Sequence, residues 1–138
     1  MATAQTVPLA VVGVSLDCAD PRALAEFYRQ LLGGQLLWCQ ESSAGLRVGP
    51  LVLVPQRVEN YRPPAWPDAS IVHLDLSAGD DLDGPEARAV ALGAVRAEPQ
   101  PDARWRVLLD PAGHPFCITP FSPPAAELDA QDAARAST

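Results

Sequence analysis

Residues 20–34 read DPRALAEFYRQLLGG and predict an amphipathic helix with a defined start and a defined end. Asp20 can cap the amino end, and Pro21 suits the first helical position because the N–H it lacks would have no helical partner there. Gly33 suits the carboxyl end of the helix, where the backbone often adopts a left-handed conformation. The apolar residues fall on one stripe at helical spacing: Leu24, Phe27, Tyr28, Leu31 and Leu32.

The same plan recurs sixty residues later. Residues 80–94 read DDLDGPEARAVALGA, which opens on two aspartates and closes on Leu92-Gly93-Ala94. Each helix follows an alternating apolar strand, at 11–18 in the first half and 71–78 in the second. Further strands are predicted after each helix, at 35–40, 46–48 and 51–54 and then at 95–98, 104–109 and 115–119. Two similar modules can enclose a cleft, and we expect function there.

A proline-rich segment separates the two halves. It reads YRPPAWPD at residues 61–68, and its three prolines exclude regular structure. We predict a single domain over 9–121, with module one at 9–58, a linker at 59–70 and module two at 71–121. Residues 122–138, rich in Ala, Asp, Ser and Pro, are predicted to form a loosely held tail.

Composition narrows the classes of partner. The 138 residues are 48% apolar and 20% charged, which is typical of one globular domain. The net charge is −7, with no lysine, so nucleic-acid binding is not expected. No apolar run approaches the roughly 20 residues that cross a bilayer, and no signal peptide is evident, which predicts a cytoplasmic protein without a membrane partner. Three separated cysteines without a CxxC pair argue against a disulfide framework or a structural zinc site.

Several short motifs occur in an order that is typical of one superfamily. They are Asp20 with Phe27-Tyr28 and Leu32-Gly33, Pro55-Gln56-Arg57-Val58, the 61–67 segment, Val72-His73-Leu74-Asp75-Leu76, Leu92-Gly93-Ala94 and Leu109-Asp110-Pro111-Ala112-Gly113-His114-Pro115-Phe116-Cys117. Together they resemble the vicinal oxygen chelate superfamily, which includes glyoxalase I, extradiol dioxygenases and bleomycin-resistance proteins, and in particular its glyoxalase-like subgroup. The resemblance implies an α+β fold of paired βαβββ modules that form an open curved barrel around a ligand cavity.

The resemblance also implies positions for metal ligands, because metal enzymes of this superfamily hold one divalent ion with four side chains. His73 occupies the histidine position of the second module, and its counterpart in the first module is Gly13. The glutamate position of the final strand is Cys117, and near the end of the first module only Gln56 could coordinate. The usual metal site and any cofactor are therefore expected to be absent, with a divalent metal at His73 as the alternative. Gly13 would then leave space for a bulky ligand.

Polar side chains on the first strand of each module are expected to face the cavity. Alternation places Asp75 on the same face as His73, and the family pattern places Asp17 correspondingly in the first module. His73 is interpreted as a neutral pocket-lining histidine, with metal ligation or general-base chemistry as alternatives. The two aspartates could bind a cation or transfer a proton, or they could pair with Arg104 or Arg106.

Cys117 should lie near His73 if the last strand packs beside the strand that carries the histidine. A Cys–His pair suggests a nucleophile, but an inert buried thiol is the favoured interpretation. His114 follows a turn whose Asp-Pro-x-Gly residues are required by backbone geometry, so it is treated as structural.

Aromatic residues are the other candidates for ligand contact. Tyr61, Trp66 and Trp105 could stack on planar or cationic ligands, whereas Trp38 is assigned to the core or to an interface.

Two functions therefore remain open. The first is a metal-independent protein that binds a small organic molecule in the cavity; the alternative is a metal-dependent glyoxalase-like lyase or isomerase that uses His73 and a non-standard ligand set. A homodimer is expected, and a non-catalytic domain acting through a partner is a third possibility. His73 is the candidate catalytic residue, and the predicted ligand-binding residues are Ser15, Asp17, Gln56, Tyr61, Trp66, Asp75, Trp105 and Cys117.

Overall fold

The computed structural model describes residues 8–68 and 72–122 of the chain. Ile71, near the start of a predicted strand, and residues 123–138 of the predicted tail lie outside the described residues. No helix in the described part is long and apolar enough to cross a membrane. The elements are, in order, β1 (Gly13–Cys18), α1 (Pro21–Leu32), β2 (Gln35–Cys39), β3 (Ala44–Val48), β4 (Leu51–Arg57), β5 (Leu74–Ser77), α2 (Asp83–Leu92), β6 (Val95–Arg96), β7 (Arg106–Leu109) and β8 (Pro115–Thr119).

Two four-stranded mixed sheets repeat one topology. The first sheet has the strand order β1-β4-β3-β2 and the second has the order β5-β8-β7-β6. In each sheet the first and last strands of the module pair in parallel, and the other pairs are antiparallel. The predicted α+β class and the two βαβββ modules are confirmed.

The chain forms two compact units that differ slightly from the two modules. Among the described residues, the first unit comprises 8–64 together with Asp110–His114, and the second comprises 65–68, 72–109 and 115–122. The loop between β7 and β8 therefore belongs to the first unit, although both of its flanking strands belong to the second.

The ends of α1 form as the sequence predicts. The Asp20 carboxylate accepts a hydrogen bond from the Ala23 N–H at 3.1 Å, and Gly33 at the other end has a φ of 89°. The helix packs against β2, β3 and β4 of the first sheet. The buried residues of this layer are Leu24, Phe27 and Tyr28 of the helix and Leu16, Leu46 and Leu53 of the sheet.

Ion pairs, more than apolar packing, hold helix α2 to the second sheet. Ala89 is its one buried residue, so little apolar area anchors it. Glu86 instead pairs with Arg96 at 2.6 Å and with Arg106 at 2.8 Å, and both arginines lie on the second sheet. The predicted start at the aspartates is confirmed in part, because Asp81 accepts a hydrogen bond from the Gly84 N–H.

The strands of the two modules differ from the sequence prediction in length. β4 continues to Arg57 because it pairs with β1 over the whole of that strand. In the second module the predicted strands at 71–78, 95–98 and 104–109 were too long. β6 ends at Arg96, shortly before Pro99, which has no N–H to donate to a neighbouring strand.

One buried hydrogen bond ties the loop after β7 into the first unit. The Tyr28 hydroxyl donates to Asp110 Oδ2 at 2.6 Å, and both residues are at least 96% buried. The other carboxylate oxygen accepts the Ala112 and His114 N–H groups at 2.9 and 3.0 Å. Asp110 is therefore fully partnered, as a buried carboxylate must be.

Replacing Tyr28 with Phe should destabilise the fold by about 1–3 kcal/mol, because one carboxylate oxygen of Asp110 would lose its buried donor. Urea unfolding followed by circular dichroism measures this change. Tyr61→Phe is the matched control: it removes a half-buried hydroxyl that donates to the Ala112 carbonyl, and should cost at most about 1 kcal/mol. Equal stabilities of wild type and Tyr28→Phe would contradict the assignment.

The cost of Tyr28→Phe should also depend on pH. Burial raises the pKa of Asp110 above its ordinary value of 3.8, and the Tyr28 hydrogen bond partly offsets this rise. A raised folded-state pKa favours folding below the unfolded pKa, and this contribution is lost as the pH rises through the folded pKa. The Phe variant should raise the pKa of Asp110 further, so its stability deficit should be largest at neutral pH and should shrink as the pH falls towards 3.8. A deficit that grows on acidification would contradict this linkage.

Candidate functional site

The second sheet has one face that α2 does not cover. Cys117 of β8 is the register partner of Asp75 in β5 and of Val107 in β7, so these three side chains share a face. Arg96 and Arg106, which bind Glu86 of α2, lie on the opposite face by alternation. On the face away from α2, Trp66, Trp105 and Leu109 pack against a small cluster of Ala97, Val107 and Cys117.

Trp66 and His73 stand side by side in the second unit. Their ring centroids lie 5.8 Å apart, and the Trp66 Nε1–H donates to the Pro99 carbonyl at 3.0 Å. Trp66 is half-buried and His73 is exposed. His73 lies one residue before β5 rather than within the predicted strand. One face of Trp105, by contrast, is occupied by the Arg104 guanidinium, 5.3 Å from the ring centroid. Trp66 is therefore the tryptophan of this unit whose ring is better placed for a ligand.

The Cys117 thiol donates a hydrogen bond to Asp75, its register partner. The predicted pairing of the last strand with the strand after His73 is confirmed, but its register places Cys117 opposite Asp75. Burial, followed by the negative charge and hydrogen bond of Asp75, raises the pKa of Cys117 to about 11. The thiol is thus protonated at neutral pH, which is the opposite of what a nucleophile needs.

The predicted pairing of Asp17 or Asp75 with Arg104 or Arg106 is wrong. Arg104 pairs with Asp102 at 2.9 Å, and Arg106 pairs with Asp83 at 2.9 Å as well as with Glu86. The Asp75 carboxylate is exposed on the face that carries Cys117. It is accessible to solvent on the same face as Cys117, against which Trp66 and Trp105 pack.

The remaining predicted residues lie in the first unit. Ser15, Asp17 and Gln56 are exposed on the face of the first sheet away from α1, and Asp17 and Gln56 are register partners on β1 and β4. Tyr61 lines a surface cavity of about 290 Å³ with Cys18 and Pro63. Its hydroxyl donates to the Ala112 carbonyl at 2.7 Å, and burial raises its pKa to about 12.

His114 has the structural role that the turn motif predicts. Its Nε2 lies 2.6 Å from the Asp17 carbonyl oxygen and 3.3 Å from the Tyr61 hydroxyl, and its backbone carbonyl accepts the Asp110 N–H. These bonds hold the turn within the first unit.

Trp38, which the sequence assigned to the core or to an interface, is partly exposed. Trp38 lies on the same face of the first sheet as Ser15 and Gln56, and 37% of its surface is accessible. A bulge at Leu37 puts it there, and strict alternation along β2 would not. The local signal was Gly45, whose missing side chain makes room for the indole.

The comparisons with known proteins agree with this architecture. The sequence profile of the family described as Glyoxalase-like domain matches residues 13–119, most of the chain. The chain belongs to this glyoxalase-like family. No curated protein matches the sequence.

Several solved structures share the fold of this glyoxalase-like domain. A glyoxalase/bleomycin resistance protein/dioxygenase family enzyme from Burkholderia phytofirmans is 21% identical, with a TM-score of 0.60 over 77% of this chain and 94% of that one. The fosfomycin resistance protein FosX from Listeria monocytogenes, solved with Mn(II) and a dihydroxypropylphosphonic acid, is 11% identical, with a TM-score of 0.66 over 85% and 96%. TioX from Micromonospora sp. is 21% identical, with a TM-score of 0.55 over 79% and 96%. At these identities the likeness shows the shared fold.

The residues at the implied metal positions do not fit the four-ligand site of the superfamily. At Gly13 a Cβ atom would lie 2.8 Å from the Val52 carbonyl oxygen, so any ligand side chain would force β1 away from β4. The close backbone approach therefore accounts for the glycine, and the interpretation that it leaves room for a bulky ligand stays a prediction. Burial, followed by the charge and hydrogen bond of Asp75, raises the pKa of the Cys117 thiol and keeps it protonated. Within the described ranges, no three His, Cys, Asp or Glu side chains cluster as metal ligands.

Cys117 should resist alkylation in the native glyoxalase-like domain. A pKa of about 11 against the ordinary 9.0 means an about hundredfold smaller thiolate fraction. Iodoacetamide at neutral pH, followed by peptide mass spectrometry, should therefore modify the partly exposed Cys39 first. Asp75→Asn should accelerate the labelling of Cys117, because it removes the charge and the hydrogen bond that raise its pKa. Labelling of native Cys117 as fast as Cys39 would contradict this account.

Proposed function

We propose that this glyoxalase-like domain binds a small organic molecule through side chains and without the four-ligand metal site of its superfamily. The observation that carries the proposal is the grouping in the second unit of Trp66, His73 and Asp75. An aromatic face, an imidazole and an exposed carboxylate within one unit are suited to hold a planar neutral or cationic ligand.

The charge of the chain supports this class of ligand. The net charge is −7, and the exposed Asp75 adds a local negative charge beside the tryptophans. A cationic aromatic ring could stack on Trp66 while a donor group on the ring reaches the carboxylate. The Trp66 N–H is already bonded to the Pro99 carbonyl, so the ring is held in place before a ligand arrives.

The exposed His73 supports the alternative, a metal-dependent lyase or isomerase. A neutral imidazole is a common metal ligand and a possible general base. This alternative requires further ligands in place of Gly13 and the protonated Cys117, so we rank it second. The homodimer and the cytoplasmic location stay predictions. So do the ligand-contact roles of Ser15, Asp17, Gln56, Tyr61, Trp105 and Cys117.

A planar cationic probe tests the proposal directly. Proflavine binding is measured by isothermal titration calorimetry with and without excess EDTA. We expect EDTA to leave the affinity unchanged and Trp66→Leu to weaken it about tenfold, because a stacking and cation–π partner is lost. Val90→Ala, an exposed site on α2 that lies outside this grouping, is the control and should bind as wild type.

Two results would contradict the proposal. Affinity that disappears in EDTA and returns with Zn²⁺ or Mn²⁺ would favour the metal-dependent alternative. Equal affinities of wild type and Trp66→Leu would remove Trp66 from the site.

A further inference from the structure

A surface cavity of about 290 Å³ opens beside the amino end of α1. Three segments form its walls, and all of them belong to the first unit: the start of α1, the proline-rich segment and the turn after β7. We call it the α1 cavity. Its apolar wall residues are Ala19, Ala23, Leu24, Pro63, Pro111 and Ala112.

The walls of the α1 cavity are fixed against one another. The Tyr61 hydroxyl donates to a carbonyl group of the turn at 2.7 Å. The same turn is bonded to α1 through Tyr28 and Asp110. A Cβ atom on Gly113 would lie 2.7 Å from Pro63 Cβ, so the turn also packs directly on the proline-rich segment. A cavity whose walls are held in place before binding costs its ligand less ordering entropy.

The size of the α1 cavity suits a two-ring molecule. A cavity of about 150 Å³ lined by apolar side chains accommodates benzene. The α1 cavity has roughly twice that volume, and its length of wall is kept open by the small side chains of Ala19, Ala23 and Ala112. A larger side chain at any of these positions would occupy part of the space.

The buried Cys18 contributes a neutral sulfur to the cavity wall. Burial raises the pKa of its thiol above the ordinary 9.0, so the thiol carries no charge at neutral pH. A polarisable sulfur makes favourable contacts with aromatic rings. Together with Leu24 and the two prolines it forms a surface that suits a ring rather than a polar chain.

The polar groups of the α1 cavity select against anions. Of the described residues that line it, Asp20 is the one with a formal charge. Its Oδ1 accepts the Ala23 N–H at 3.1 Å, and a carboxylate has further acceptor capacity for a ligand. Burial, followed by the charge of Asp110, raises the pKa of Tyr61 to about 12, so the phenol stays neutral. A ligand should therefore bring a hydrogen-bond donor and no negative charge.

We propose that the α1 cavity is a binding site for a small bicyclic aromatic molecule that carries a hydrogen-bond donor at one end. The rings contact Cys18, Leu24 and the prolines, and the donor reaches the Asp20 carboxylate. None of these residues belongs to the grouping of Trp66, His73 and Asp75. The inference therefore goes beyond the proposed function and does not depend on it.

The probe is 2-naphthol, titrated into the ¹⁵N-labelled full chain and followed by nuclear magnetic resonance. The Ala23 and Ala112 amide signals should shift on titration, and equally so in Trp66→Leu. Ala23→Leu should weaken binding about tenfold, because the larger side chain fills the cavity while the N–H that Asp20 caps is kept. Ala87→Leu, the same change at an exposed site on α2, is the matched control and should bind as wild type.

Asp20→Asn tests the polar contact without removing the helix cap, since asparagine caps as well as aspartate. It should weaken 2-naphthol binding about threefold, because an exposed charged acceptor is lost. It should strengthen the binding of 2-naphthoate, an anion with the same rings, because the repelling carboxylate is gone. A general loss of structure would weaken both ligands, and circular dichroism establishes that each variant is folded.

Equal affinities of wild type and Ala23→Leu for 2-naphthol would overturn the inference, as would a wild type that binds 2-naphthoate as tightly as 2-naphthol. Shifts confined to the second unit and lost in Trp66→Leu would leave the proposed function standing and this inference refuted. Shifts at Ala23 and Ala112 in a protein whose affinity for proflavine does not depend on Trp66 would support the α1 cavity and refute the proposed site.

Discussion

The hydrogen bond from Tyr28 to Asp110 is the contact on which the first unit depends most. It joins the first helix of the chain to a loop 82 residues away. Asp110 also accepts two backbone N–H groups of its own turn, so one buried carboxylate fixes both the turn and its position against α1. His114 and Tyr61 add bonds from the same loop to β1 and the proline-rich segment. Removing the Tyr28 hydroxyl would leave a buried charge short of a donor, which is among the costlier single changes in a small domain.

The chemistry of this glyoxalase-like domain differs from that of a metal enzyme at the positions that matter most. Where the superfamily pattern puts a ligand in the first strand, Gly13 lies against the Val52 carbonyl. Where the superfamily pattern puts a glutamate in the final strand, this chain has Cys117, a protonated thiol that donates a hydrogen bond to Asp75. Aromatic side chains are prominent instead, with Trp66 beside His73 in one unit and Trp38 over Gly45 in the other. Recognition through ring faces and a few polar groups is consistent with this set of residues.

Local signals predicted the parts of the fold that depend on local physics. The Asp20 cap, the Gly33 stop and the repeated strand–helix order indicated two βαβββ modules because capping and periodicity act over a few residues. Three features could not be predicted from the sequence because they depend on tertiary register. A neighbouring strand or helix determines each of them: the bulge that exposes Trp38, the pairing of Cys117 with Asp75, and the ion pair of Arg106 with Glu86. The sequence therefore indicated candidate site residues, whose roles stay predictions, but not the contacts that those residues make.

We propose that this glyoxalase-like domain recognises its ligand with side chains and without a catalytic metal. The most direct measurement is the metal content of protein purified without chelator, followed by titration with Zn²⁺, Ni²⁺, Co²⁺ and Mn²⁺, in wild type and His73→Ala. We expect substoichiometric metal and weak titrations that are the same in both proteins. Tightly held, near-stoichiometric metal that is lost in His73→Ala would contradict it.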